Sequence, residues 1–174
     1  MTTLHTSRLT LRPVQAEDAP VFEAFYSDPE VMTIRKFGAL DAEAARIQVN
    51  EMLEHWAIHG FGMWVVQDRS TREFAGECGL RWLEDASEVE LSYGLYTRFR
   101  GCGLATEAAR AAIDFGIEVL GLERIVALSR GDNIKSHRVL EKLGMTLEWR
   151  KQTGQHGLVR YCLLRSEHTP KAAQ

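Results

Sequence analysis

Residues 88–119 constrain the fold more than any other stretch. From Glu88 onward polar and apolar residues alternate, so that Val89, Leu91, Tyr93 and Leu95 share one face and Glu88, Glu90, Ser92 and Tyr96 the other. A period of two is the mark of a strand with one buried face. Past Gly101-Cys102-Gly103 the period becomes helical, and Ala105, Ala108, Ala109, Ala112, Ile113, Gly116 and Val119 form a narrow face of mostly small side chains. Such a helix can lie close against a sheet. A short strand, Arg124 to Ser129, follows, and the segment reads strand, loop, helix, strand.

The remaining elements extend this pattern. Arg8 to Arg12 alternates and stops at Pro13, which predicts a first strand. Glu17 to Ser27 predicts a short helix with Val21, Phe22 and Phe25 inward, ended by Asp28-Pro29. Asp41 can cap a longer helix carrying Ala45, Val49, Met52, Leu53 and Trp56, with Gly60 after its last turn. Met63 to Asp68 and Phe74 to Trp82 read as strands joined at Arg69-Ser70-Thr71. Asn133 caps a helix with Val139, Leu140 and Leu143, closed by Gly144, and Met145 to Lys151 and Leu158 to Leu164 form a hairpin. Strands alternating with helices, plus hairpins, indicate an α/β or α+β domain on a mixed sheet. With no repeat and no linker, the expectation is one domain over residues 1–165 and a flexible polar tail over 166–174.

Composition removes several function classes. The chain is 45% hydrophobic and 26% charged, enough apolar matter for a core and too ordinary a charge for disorder. A formal net charge of -3 argues against a broad basic face for nucleic acid. No apolar run approaches the ~18 residues of a membrane span, and the opening residues carry no apolar stretch of signal-peptide length. The expectation is a cytoplasmic protein with no membrane or nucleic-acid partner. Cys78, Cys102 and Cys162 are an odd number without a CxxC pair, so they read as reduced thiols. His55 and His59 have the spacing of a metal pair on a helix, but no third ligand is evident. No metal is expected.

The chemistry concentrates in Tyr96 to Glu107. Two glycines one residue apart allow successive N–H groups to point into one concavity, and a helix start adds unpaired donors. Arg98 and Arg100 add charge, which suits a diphosphate. The loop lacks the Lys-Ser/Thr of a Walker A motif, and Thr106 stands where a dinucleotide fingerprint needs a small residue. Taken alone, Gly-x-Gly reads as a glycine-rich turn flanked by solvated arginines.

Arg98 to Ala108, then Asn133-x-x-Ser136 followed by Val139-Leu140-Glu141-Lys142-Leu143-Gly144-Met145, stand in an order that resembles the GCN5-related N-acetyltransferase (GNAT) superfamily, and more narrowly the branch that includes the ribosomal-protein N-terminal acetyltransferases. Ser7-Arg8-Leu9-Thr10-Leu11-Arg12-Pro13 is similar to that branch's opening strand, and Asp28-Pro29-Glu30-Val31-Met32 to its post-helix turn. Glu90 to Leu95 is similar to its fourth strand, with Ser92 replacing a usual Gly and Gly94 a usual Trp.

The resemblance implies a mixed six- or seven-stranded sheet, splayed between its fourth and fifth strands and flanked by about four helices. It implies acetyl-CoA as co-substrate, its pantetheine arm entering the splay. The cofactor-binding residues would be Leu95, Arg98, Arg100, Gly101, Cys102, Gly103, Leu104, Ala105, Thr106, Asn133 and Ser136. The N–H groups of Arg100 to Ala105 would hold the pyrophosphate, and the strand near Leu91 to Leu95 would pair with the pantetheine amides. Ser136 is the first choice beside the leaving thiolate, against the plainer role of a polar residue in a first turn.

Transfer to an amine needs a neutral nucleophile, donors for the oxyanion and a partner for the thiolate. Backbone groups around Leu91 to Tyr93 can serve the oxyanion. Glu90, facing away from its apolar neighbours, is the candidate base, directly or through water, and a candidate acceptor contact. With pKa values of ~7.7–8.0 and ~10.4, about a third of an α-amine but only ~0.1% of a lysine amine is neutral at pH 7.5. Phe37, Trp64 and Trp82 are candidates for the acceptor pocket, with core packing as the competing role.

The expected acceptor is a protein N-terminal α-amine or a small amine, reached without a covalent enzyme intermediate, and a homodimer stays open. Two rivals remain. One is an acyl-CoA-binding sensor that keeps the fold without turnover, and the other a thiol hydrolase built on Cys102 and His137.

Overall fold

The computed structural model describes residues 2–34, 38–83 and 87–170. Its strands are β1 (Leu4–His5), β2 (Leu9–Pro13), β3 (Met63–Asp68), β4 (Phe74–Trp82), β5 (Val89–Leu95), β6 (Arg124–Arg130), β7 (Thr146–Lys151) and β8 (Leu158–Leu164). Its helices are α1 (Ala19–Ser27), α2 (Pro29–Met32), α3 (Ala42–His59), α4 (Leu104–Asp114) and α5 (Ile134–Lys142). One eight-stranded sheet runs β1-β2-β3-β4-β5-β6-β8-β7. The eighth strand and fifth helix beyond expectation are β1 and α2, a two-residue strand and a single turn, too short to show a period.

Local chemistry places the helix ends. The Asp41 carboxylate accepts from the Ala44 N–H at 2.8 Å, and α3 stops at Gly60 with φ 73°. The Asp28 carboxylate accepts from Glu30 N–H at 2.8 Å while Pro29 opens α2. Before α1, Asp18 takes the Gln15 N–H at 2.8 Å and both Arg12 nitrogens at 2.6 and 2.7 Å. The helix begins at Ala19 rather than Glu17, and its inward stripe is Phe22, Phe25 and Tyr26. Val21, expected inward, is 38% exposed.

Helix α4 covers one sheet face. Ala108, Ala109 and Ala112 are fully buried against a cluster that includes Leu9, Leu11, Trp64, Leu80, Val89 and Leu91. Helix α5 adds Leu140 to the same cluster. Gly116 explains how close the approach is, since a Cβ there would stand 2.7 Å from Leu80 Cδ1. After Asp114 the helix widens into a π turn, Phe115–Val119, which carries Val119 out to solvent instead of onto the sheet. The opposite face holds α1, α2 and α3, where Phe25 meets Tyr96 edge-on at 5.0 Å and Phe74 at 5.5 Å.

The sheet opens where β5 and β6 pair in parallel, the one such pair among the described residues. Strand β5 is bonded along its full length to β4, and β6 along its full length to β8. Between them β5 and β6 pair only at Val89–Ile125 and Glu90–Val126. This is the expected splay between the fourth and fifth strands, with β1 left out of that count. The segment expected as a flexible tail starts with a helical turn, Arg165–Glu167, and the His168 side chain is nearly buried beside Asp114 at 3.1 Å.

Candidate active site

The glycine loop forms a cradle of donors. Gly101 has φ 83° and Gly103 φ 85°, a left-handed backbone that glycine adopts without strain. Gly103 caps α4, and Glu107 N–H is the first in the helix to find a carbonyl, that of Gly103 at 3.0 Å. Among the described residues, the N–H groups from Gly101 to Thr106 have no hydrogen-bond acceptor. With the positive end of the helix dipole behind them, they suit an anion. The expected run of donors starts one residue too early, because Arg100 N–H is already given to Thr97 O at 3.1 Å.

The two loop arginines have structural work. Arg98 pairs with Glu73 at 2.5 Å and lies over the rings of Tyr96 and Phe99. Arg100 donates from Nε to Leu95 O at 2.8 Å and from Nη1 to Glu30 O at 3.3 Å, binding the end of β5 to α2. A third cation, one that nothing in the sequence assigns to the site, stands beside the cradle. Arg8 donates from Nη1 to Cys102 O at 2.9 Å, and its Nη2 is 3.6 Å from where a Gly103 Cβ would stand.

Glu107 completes this corner. It accepts from Thr6 Oγ1 at 2.6 Å, Ser7 Oγ at 3.1 Å, Arg8 N at 2.9 Å and Arg8 Nε at 2.7 Å. Burial disfavours its charge, but the hydrogen bonds from Thr6, Arg8 and Ser7 outweigh burial and hold its pKa below the ordinary value.

At the opening, β5 meets α5. Tyr93 Oη lies 2.9 Å from Ser136 Oγ and 3.3 Å from Ser136 O. Asn133 caps α5 by accepting the Ser136 N–H at 3.2 Å, so its side-chain oxygen is spent on the helix rather than reaching outward. Burial pushes the Tyr93 phenol well above the ordinary range, partly countered by the Ser136 bond. Sequence reading missed Tyr93 as a site residue because it sits on the apolar side of the alternation.

Glu90 belongs to the last β5–β6 pair and is 6% exposed. Arg81, its partner in β4, donates from Nε at 3.1 Å and reaches from Nη2 at 2.9 Å, both to Oε2. On the same sheet face, Glu77 is 1% exposed and accepts from Tyr26 Oη at 2.5 Å. Neither Arg81 nor Glu77 had a sequence signal, since both read as ordinary polar positions of a strand.

The aromatic candidates separate. Trp64 is fully buried, edge-on to Trp56 at 5.2 Å and Phe115 at 5.3 Å, with its N–H given to Thr2 O. It is core, not acceptor wall. Trp82 is half-buried near His59 and Phe61, and its backbone N–H donates to His55 Nε2 at 3.1 Å. Phe37 lies outside the described residues. His55 Nδ1 contacts Phe61 O at 2.8 Å, so both ring nitrogens are engaged, and burial lowers its pKa. Cys102 is exposed in the glycine loop, whereas His137 is buried and bonded to Arg130 O at 2.9 Å. Cys102 Sγ lies 3.5 Å from Phe99 O instead, and among the described residues no hydrogen bond joins the hydrolase pair. Among the described residues no helix is long and apolar enough to cross a membrane.

Residues 8–146 match the acetyltransferase (GNAT) domain family. An uncharacterized N-acetyltransferase p20 of Bacillus licheniformis is 34% identical over 85% of this chain and 84% of its own length. The spermidine N(1)-acetyltransferase of Escherichia coli K12 is 26% identical over 79% of this chain and 73% of its own. The crystal structure of an acetyltransferase from Agrobacterium tumefaciens C58 superposes with a TM-score of 0.83 at 31% identity, covering 94% of each chain.

Proposed function

Because this chain belongs to the GNAT acetyltransferase family, and is an acyltransferase that takes its acyl group from acetyl-CoA, we propose that it acetylates a primary amine by direct attack in a ternary complex. The acceptor is a protein N-terminal α-amine or a small amine. The observation that carries the reading is the opening after the Glu90–Val126 pair, with the unpaired donors of Gly101 to Thr106 one loop beyond the end of β5. Those donors take the diphosphate and leave the opening for the pantetheine arm and thioester.

The chemistry then follows from the residues around the opening. The neutral amine nitrogen attacks the thioester carbon. Backbone N–H groups of Leu91 to Tyr93 that β6 does not reach stabilise the oxyanion. Glu90, directly or through a water, first takes the proton of the arriving ammonium to leave that neutral nitrogen, and the proton shed after attack passes to solvent. The C–S bond breaks as the carbonyl re-forms, and sulfur leaves with the electron pair beside the Ser136 hydroxyl. Protonation of that thiolate completes free CoA.

Buried carboxylates at Glu77 and Glu90, on the face covered by α1 to α3, favour an acceptor that arrives as a cation. Similarity to a spermidine acetyltransferase brings polyamines into the same class. The test is CoA release across a panel of peptides with free N-termini, spermidine and aminoglycosides. Release above the acceptor-free rate is expected with at least one of them. Acetyl-CoA that raises the melting temperature without release from any amine would instead favour the non-catalytic acyl-CoA sensor.

A further inference from the structure

Tyr93 and Ser136 meet across the gap in the sheet, and their contact is the feature that the reaction outlined above leaves unused. Tyr93 lies on β5 three residues past the last residue bonded to β6, on the face shared with Val89, Leu91 and Leu95. Its ring packs against the core cluster beneath α4, which fixes the phenol end. Ser136 is fixed independently, since its N–H is held by the Asn133 carboxamide in the first turn of α5. A packed ring and a capped helix turn therefore bring two hydroxyl oxygens to 2.9 Å across the opening.

We propose that Tyr93 is a positioning residue that donates its hydroxyl hydrogen to Ser136 Oγ and thereby turns the Ser136 hydrogen toward the sulfur of the departing CoA thiolate. The proposal rests on the opening being the acetyl-CoA site. A hydroxyl has one hydrogen and two lone pairs. When Tyr93 fills a lone pair of Ser136 Oγ, the serine hydrogen points elsewhere, and an arriving anion is the strongest acceptor for it. Donation from the phenol also polarises the serine O–H, which strengthens the bond it makes. Burial keeps the phenol protonated well beyond neutral pH, so it remains a donor throughout the working range.

No proton leaves Tyr93 in this scheme. Sulfur departs as the thiolate, held by the serine hydrogen bond, and is protonated from solvent by the equivalent of the proton shed at nitrogen. The competing arrangement is the reverse one, with Ser136 donating to Tyr93 Oη and Tyr93 donating to Ser136 O at 3.3 Å. It would leave the thiolate without a donor. The two arrangements predict opposite effects of removing the phenol hydroxyl.

The readout is the pKa of the CoA thiol on the protein, followed as thiolate absorbance against CoA-free protein, with binding checked by calorimetry. In the parent the bound thiol should titrate about one unit below free CoA, roughly a tenfold shift in the thiolate equilibrium from one charge-assisted hydrogen bond. Tyr93→Phe should raise it by at least about half a unit, and Ser136→Ala by about one. The double variant should match Ser136→Ala, because Tyr93 acts only through the serine. Should the phenylalanine variant not fold, 3-fluorotyrosine at position 93 keeps the hydroxyl, strengthens it as a donor and should lower the thiol pKa further.

A thiol pKa that is unchanged or lowered in Tyr93→Phe, or unmoved by the fluorinated residue, overturns the positioning role while CoA binding keeps the acetyl-CoA site. Failure of CoA to bind the parent overturns both.

Discussion

Arg8 Nη2 lies 2.6 Å from Glu107 Oε2, joining the start of β2 to the first full turn of α4 across a separation of 99 residues. The same guanidinium holds the Cys102 carbonyl, so the peptide between Cys102 and Gly103 is fixed from outside the cradle. A carboxylate in the first turn of α4 would repel a diphosphate. Four hydrogen bonds from Thr6, Ser7 and Arg8 tie its charge to the β1–β2 turn instead.

Arg8→Met should therefore weaken CoA binding more than it weakens the fold. It removes the guanidinium's hold on the Cys102 carbonyl, a charge-assisted hydrogen bond of ~1.5–3 kcal/mol at most in a protected setting, while the half-exposed ion pair with Glu107 contributes ~0–1 kcal/mol to stability. Calorimetry should show Kd for CoA rising roughly tenfold, with a melting temperature lowered by only ~2–4 °C. An unchanged Kd would separate this corner from the cradle.

Glu107 supplies a pH signature. Its folded pKa is depressed, so its contribution to stability is fully present above the unfolded glutamate value of ~4.3 and is lost as pH falls through the folded value. The melting-temperature gap between the parent and Glu107→Gln should be constant from neutral pH down to the ordinary glutamate range and should close below it. A gap that persists into strong acid would mean that shape, not charge, holds the corner.

Gly103→Ala and Gly101→Ala test the backbone. A Cβ at Gly103 would make only an ordinary 3.6 Å contact with Arg8, and none at Gly101, so crowding is not the obstacle. Positive φ is. Each alanine should cost about 1 kcal/mol of stability. Relaxing to negative φ would turn the local N–H groups out of the cradle, and Kd for CoA should rise by at least about tenfold. Gly103→Val should be worse on both counts, since β-branching narrows the allowed backbone further.

The fold was legible because its signals are local and periodic. Seven strands and four helices announce themselves by alternation, by the Asp41 and Asn133 caps and by the glycines after α3 and α5. What escaped is set by tertiary partners. Tyr26 displaced Val21 from the inward stripe because Glu77 and the Phe22–Phe25 cluster define that side of α1. Trp64 could not be told from a pocket wall until α4 and Trp56 were seen to close over it. The glycine loop was visible as a motif, yet Arg8 was not, because nothing in a sequence places residue 8 beside residue 107. Tyr93 was hidden by its own neighbours, since on the apolar side of a strand a tyrosine reads as core until its hydroxyl is located.

Glu90 remains the residue on which the proton chemistry turns. Arg81 reaches it from Nε and Nη2, both on Oε2. Glu90→Gln keeps the size and much of the hydrogen bonding but removes the proton acceptor. If Glu90 takes the ammonium proton, kcat/KM should fall by the ~10²–10⁴ typical of general-base loss while the amine arrives protonated. The deficit should shrink as pH rises toward the amine's own pKa, because solution then supplies the neutral nucleophile. It should also be smaller for a peptide α-amine, pKa ~7.7–8.0, than for a lysine-like amine, pKa ~10.4. A carboxylate that only anchors Arg81 behaves otherwise, since its loss lowers stability or acceptor affinity by a factor independent of pH near neutrality. The measurement is the variant-to-parent ratio of kcat/KM from about pH 6.5 to 9.5 on one accepted amine, a span that brackets the α-amine pKa. A ratio that climbs toward one assigns the proton to Glu90. A flat ratio passes it to water ordered by the β5 backbone where the sheet parts.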